Sequence, residues 1–162
     1  SERANRTVVL TPGRVSEEAA MALYPELPEE AFIHMGDHVG FTLRDCADKG
    51  VDRVIIVGQF GKFSKVAMGY MDTNCNASFL DVEEIAKWAR GLGADAELIQ
   101  QIGEANTARH VTQIIDTAPD IAPKLYAETC RKYKAEARKV LGEKARLELV
   151  LLSYEGEVLH RL

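Results

Sequence analysis

Short apolar runs closed by glycine or proline alternate with helical stretches from the first residues of the chain onward. Thr7-Val8-Val9-Leu10 is β-branched and apolar and is stopped by Thr11-Pro12-Gly13, which reads as a short buried strand ending in a turn. Ser16 to Leu23 then has the composition of a helix, with Ser16 as its expected N-cap and Pro25 and Pro28 beyond its end. A second strand is expected at Ala31–Met35, closed by Gly36. Asp37 is the expected cap of the next helix, in which Val39, Leu43 and Cys46 recur on one face, and Gly50 stands where a left-handed C-terminal residue belongs. Arg53-Val54-Ile55-Ile56-Val57 has the strongest strand character of the chain. Its unbroken apolar run suits a central parallel strand covered on both faces.

Past Gly58-Gln59-Phe60-Gly61 the pattern predicts a short helix from Lys62 to Met71 and a polar loop from Asp72 to Ala77. Ser78 and Asp81 have the spacing of a capping box for a helix over 79–90, which Gly91 and Gly93 terminate. Residues 95–117 read as one or two helices and 123–141 as a long one, with Pro123 in its first turn. Leu147 to Ser153 and Val158 to Arg161 form a hairpin around Glu155-Gly156. The fold class that follows is α/β: a Rossmann-like, open, mostly parallel sheet with helices on both faces and a C-terminal antiparallel hairpin. All 162 residues read as one ligand-binding domain. The opening Ser1 to Arg6 is polar and unpatterned and lacks an initiator methionine, so the chain is expected to be a piece cut from a longer protein.

Charge and cysteine content narrow the function. A net charge of −5 argues against a nucleic-acid surface, which needs a concentrated basic stripe. Cys46, Cys75 and Cys130 are far apart and contain no CxxC pair, which points to reduced thiols rather than a disulfide or zinc framework. No apolar run has the length of a membrane span. A cytoplasmic protein with no nucleic-acid or membrane partner is the expectation.

Ligands of open α/β sheets bind beyond the carboxyl ends of parallel strands. Three segments fall there: Thr11-Pro12-Gly13-Arg14, Met35-Gly36-Asp37-His38-Val39-Gly40 and Gly58-Gln59-Phe60-Gly61-Lys62. Each has glycine where the backbone must turn or admit a ligand, and two open into helices whose free N–H groups attract anions. Tight strand-to-helix turns alone account for these glycines equally well. A Walker phosphate loop is excluded because the position five before Gly61 is Ile56, and the GxGxxG fingerprint is absent. His34, Asp37 and His38 superficially match a helical zinc pattern, but His34 lies on the strand side of Gly36 and no third ligand is evident. Packing or capping outweighs a metal there, and no metal site is assigned. Cys75 has no local base to make it a nucleophile. The Lys and Arg of residues 124–139 interleave with Glu128 and Glu136 as a solvated face.

Glu30 to Phe41, with its Met-Gly-Asp-x-x-Gly, and Val57 to Gly69, with its Gly-x-x-Gly-Lys-x-x-Lys-x-Ala-x-Gly, resemble the cobalt-precorrin-5B carbon-1 methyltransferase family, CbiD. Further similarities lie at Thr11 to Glu17, Met71-Asp72-Thr73 and Glu104-Ala105-Asn106-Thr107-Ala108. The resemblance covers only the C-terminal part of that family, so a missing N-terminal domain of the same protein is an expected partner. One departure is clear: the family commonly has His after the threonine matching Thr73, whereas Asn74 and Cys75 follow here.

The resemblance implies methyl transfer from S-adenosylmethionine to a ring carbon of a cobalt-precorrin tetrapyrrole in anaerobic cobalamin synthesis. On that reading Thr11, Gly13, Glu17, Gly36, Asp37, Gly40, Gly58, Phe60 and Gly61 surround the donor. Asp37 or Glu17 accepts its ribose hydroxyls, and Val39 or Phe60 lies against its adenine. Arg14, Lys62, Lys65, Asp72 and Thr73 face the substrate, the cations anchoring its carboxylates. A solvated pair on the first turns of a helix is the plain alternative for Lys62 and Lys65. No catalytic residue is assigned. Valine at Gly61 is expected to block the donor while leaving the fold largely intact. The competing readings are a noncatalytic ligand-binding or assembly domain of the same fold, and a metal hydrolase built on Asp37 and the histidines.

Overall fold

Residues 53–59 form β3 (Arg53–Gln59), the strand at the middle of the sheet, with Val54 to Val57 all fully buried. The computed structural model describes residues 5–162. Around β3, β1 (Thr7–Thr11), β2 (Phe32–His34), β4 (Arg146–Leu152) and β5 (Val158–Arg161) complete a five-stranded sheet in the order β2-β1-β3-β4-β5. All pairs are parallel except β4 with β5, which is the predicted antiparallel hairpin on a parallel sheet. β2 is shorter than expected because a single 3₁₀ turn, Glu29–Ala31, takes up its start.

The alternation of side chains across the pleat divides the core in two. Leu10, Val54, Ile56, Leu147, Leu149 and Leu151 face the larger cluster, built with α2 (Val39–Asp48), α3 (Phe60–Ala67), α4 (Val82–Gly91), α5 (Ala96–Glu104), α6 (Ala108–Asp116) and α7 (Ala122–Leu141). Val9, Ile55, Val57, Val150 and Leu152 face the smaller one, roofed by Ala20 of α1 (Arg14–Leu23) and by Tyr24. Helices therefore cover both faces, as an all-buried parallel strand requires. The long α7 clamps the first turns of α3: the Phe63 and Tyr133 rings lie 4.6 Å apart, and Phe60 meets Tyr126 edge-on at 5.9 Å. Its charged face carries the expected Glu128–Arg131 and Glu136–Lys139 pairs.

Several boundaries differ from the sequence pattern, each for a local reason. α1 begins two residues early, with Gly13 rather than Ser16 at its N-cap, so Ser16 is buried in the first turn. His38, not Asp37, precedes α2, because the Asp37 carboxylate is drawn to Lys62 and Thr73. α3 starts at Phe60 and ends at Ala67, since Gly69 adopts a left-handed φ of 101° instead of continuing the helix. Asp81 caps α4 by accepting the Glu84 N–H, while the Ser78 hydroxyl donates to the Asn74 carbonyl; no capping box forms. The 95–117 stretch is two helices, broken where Thr107 caps α6. Gly50 has φ 64° as expected, letting the Val51 N–H reach back to the Cys46 carbonyl.

The three cysteines are free: Cys46 and Cys130 are buried and Cys75 is exposed. Burial pushes the Cys130 thiol up to about 12, so it packs as a small apolar group. Among the described residues no helix is long and apolar enough to cross a membrane.

Because Phe60 is fully buried against Tyr126, Phe60→Ala is expected to cost about 3–5 kcal/mol in urea denaturation. The same truncation at Phe41, which is 72% exposed, is expected to stay within about 0.5 kcal/mol.

Candidate functional site

Parallel pairing of β1 with both β2 and β3 brings the three expected loops to one edge of the sheet. The strand order reverses direction between β1 and β3, and there a cleft of about 480 Å³ opens. Its walls are the first turn of α1 at Gly13 and Arg14, the first turn of α3 at Gly61 and Lys62, and the start of α6 at Thr107 and Ala108. Lys65, Thr73, Leu80, Asn106 and Tyr154 complete it. The N-cap residues of α1 and α3, Gly13 and Gln59, make no side-chain cap hydrogen bond, and among the first-turn N–H groups at this edge that of Gly61 is taken by the Tyr154 hydroxyl. Among the described residues no carboxylate lines the cleft, while Arg14, Lys62 and Lys65 do, so with the helix N-termini its lining favours an anion.

The second loop flanks the cleft without lining it, because β2 lies beyond β1, away from the reversal point. Gly36 turns it with φ 58°. The Thr73 N–H donates to the Asp37 carbonyl (3.1 Å) and the Thr73 hydroxyl to Asp37 Oδ1 (2.8 Å). Lys62 Nζ lies 2.9 Å from the same oxygen. The Lys62 ammonium, then the Thr73 hydroxyl, hold the Asp37 carboxyl below its ordinary value of 3.8. Lys65 Nζ donates to the Thr73 carbonyl at 3.1 Å. The two lysines thus tie α3 to both flanking loops, and they differ in what remains: Lys62 faces a carboxylate, whereas Lys65 is held by a neutral carbonyl and has no carboxylate partner among the described residues. Arg14 is exposed and pairs with Glu18 at 3.1 Å, a pair of small energetic weight.

Of the fourteen residues assigned from sequence, Gly13, Arg14, Gly61, Lys62, Lys65 and Thr73 line the cleft. Thr11 is fully buried just before it, and its hydroxyl has no hydrogen-bond partner among the described residues. Glu17 lies one turn into α1 and outside the lining. Phe60, placed against the adenine from sequence, and Val39 are core side chains. Gly40 donates its N–H to the Met71 carbonyl, and a Cβ there would sit 2.8 Å from Met71 Cβ. At Gly58 a Cβ would meet the Phe63 ring at 3.0 Å. Both glycines serve packing. Asp72 is exposed and accepts the Asn74 N–H within its own turn, so it does not face the cleft. Asn74, where the family commonly has His, builds that turn by accepting from Asn76. His34 Nε2 lies 3.0 Å from the Pro12 carbonyl, and no metal-binding group of side chains occurs among the described residues.

Gly61 is a further correction. A Cβ there would meet Ala108 Cβ at 3.0 Å and Tyr154 Oη at 3.1 Å, so valine at this position strikes α6 and the hairpin as well as the cleft. Tyr154 was missed from sequence, and Gln59, inside the third loop, was given no role. The Asn106-Thr107-Ala108 segment was noted only as a similarity, and its approach to α3 crosses some forty-five residues of chain.

The family model described as CbiD, C-terminal domain, matches residues 72–161, more than half of the chain. The chain belongs to the CbiD family. Among curated relatives, the cobalt-precorrin-5B C(1)-methyltransferase of Priestia megaterium is 40% identical over 152 residues, covering 94% of this chain and 41% of that protein. That of Citrifermentans bemidjiense is 39% identical over 158 residues, covering 96% and 42%. That of Geobacter sp. strain M21 is 47% identical over 108 residues, covering 67% and 30%. The chain spans about two-fifths of the length of the curated relatives matched along nearly all of it. No solved structure matches.

Asp37 stabilises the joined loops only while ionised. Its depressed folded-state pKa means that this contribution is complete above the ordinary value of 3.8 and is lost as pH falls through the lower folded value. Thermal melts of wild type and Asp37→Asn are therefore expected to differ most at neutral pH and to converge in acid.

Proposed function

We propose that this CbiD chain forms the donor side of a methyl-transfer site, holding S-adenosylmethionine for methylation of carbon 1 of cobalt-precorrin-5B in anaerobic cobalamin synthesis. The cleft between β1 and β3 carries this reading: it stands at the reversal of strand order, its volume of about 480 Å³ falls in the range of small-ligand sites, and the N-termini of α1 and α3 open on it. The names of the relatives support this reaction, and the cleft supports this reading of where the donor sits.

The donor brings an already activated methyl group on its sulfonium sulfur, so what the protein contributes is alignment and exclusion of water. The first turns of α1 and α3 suit the donor's carboxylate, the only anionic group it has. The residues for its ribose are neutral ones, Asn106, Gln59 and Thr107, because Asp37 is engaged by Lys62 and Glu17 lies outside the cleft. Leu80 and the ring of Tyr154 offer the apolar surface that Phe60 does not. Lys65 and Arg14 are cations without a carboxylate in the cleft, and they suit the carboxylate side chains of a tetrapyrrole docking at the mouth. The remaining length of the relatives is where a second wall for so large a substrate is expected.

S-Adenosylhomocysteine at a hundred times its dissociation constant adds about 2.7 kcal/mol of stability, which in a domain of this size is about 5–10 °C in melting temperature. A shift of that order is expected for the wild-type chain. No shift at any concentration removes the donor from this cleft.

A further inference from the structure

Tyr154 stands in the turn between β4 and β5, and its hydroxyl is unusually placed for a turn residue. The ring lies against the Arg109 guanidinium, 5.7 Å from centroid to Cζ, and the hydroxyl reaches across to α3, where it accepts the Gly61 N–H at 3.1 Å. A phenol has one proton to donate besides its lone pairs. The Gly61 bond uses a lone pair, and the Tyr154 proton has no acceptor among the described residues, although the side chain lines the cleft. Burial raises the Tyr154 pKa, so the proton stays on oxygen at neutral pH.

Two further features show what this proton faces. Gly61 belongs to the first turn of α3, so its N–H carries the positive end of that helix; accepting from it polarises the phenol and strengthens its O–H as a donor. Among the described residues the surrounding walls hold no acid, and Lys65, bonded only to the Thr73 carbonyl, stands there beside Lys62 and Arg14, so the acceptor that suits the cleft is anionic. Residue 61 has no side chain to crowd this approach: a Cβ would lie 3.1 Å from the hydroxyl and 3.0 Å from Ala108 Cβ, so one of them would have to give by a few tenths of an ångström.

We infer that Tyr154 is a ligand-binding residue whose hydroxyl, held by Gly61, donates its proton to a carboxylate oxygen of the molecule in the cleft. The inference rests on the reading of the cleft given above and adds a contact to it. A carboxylate is found both on the amino-acid end of the methyl donor and on the side chains of a tetrapyrrole, and calorimetry on the full chain separates the two. The probes are S-adenosylhomocysteine, methylthioadenosine, which is the same nucleoside thioether without the carboxylate, and uroporphyrin, a tetrapyrrole polycarboxylate.

Tyr154→Phe is expected to weaken S-adenosylhomocysteine about tenfold while methylthioadenosine stays within about twofold. A tenfold loss confined to uroporphyrin also upholds the inference, with the tetrapyrrole as the source of the carboxylate. Gly61→Ala, which crowds the hydroxyl without removing it, is expected to weaken the same probe by a smaller factor than Tyr154→Phe does. Unchanged affinity for all three probes overturns the inference, as does an equal loss for all three, which marks Tyr154 as a prop for α3 alone. Should the wild-type chain bind none of them, the reading of the cleft falls first and takes this contact with it.

Discussion

Parallel pairing on both sides of β1 is the constraint from which the rest follows. Parallel strands cannot be joined by tight turns, so each return crosses a face of the sheet in a helix, and every departing loop leaves at the same edge. With β2 on one side of β1 and β3 on the other, the loops after β1 and β3 diverge to opposite faces, α1 above and α3 below. The gap between them is the cleft. Its position depends on strand order, and its chemistry on what the sequence places in the first turns of two helices.

Much of this was legible in the chain. The buried run of β3, the left-handed Gly50, the hairpin at Gly156 and the charged face of α7 are consequences of local pattern, and local pattern is what a sequence displays. Several expected residues that lie outside the cleft do so for reasons that local pattern does not display. A glycine reads as open space whether a ligand or a neighbour fills it, and at Gly40 and Gly58 the neighbours are Met71 and Phe63. An aromatic residue beside a glycine loop reads as a ligand wall, but Phe60 opens α3 facing inward, where Tyr126 of α7 takes its ring. Tyr154 was invisible for the opposite reason: its partner Gly61 is 93 residues away.

The charges around α3 show how similar residues come to unlike roles. Lys62 and Lys65 are three apart and both line the cleft, yet one is matched with Asp37 and the other only with a carbonyl. Asp37 in turn is a brace between two loops. A motif containing Lys-x-x-Lys therefore combines a structural cation with one left available, a division that spacing alone does not express.

The walls of the cleft are drawn from Pro12 near one end of the chain to Tyr154 near the other. No short fragment contains all of it, since β1, β3 and the β4–β5 turn must all be in register before the walls meet. Occupancy is consequently a report on the whole sheet. A bound molecule bridges β1 and the β4–β5 turn much as a crosslink does, and amide exchange should slow in β1 and β4 together rather than at the contact residues alone.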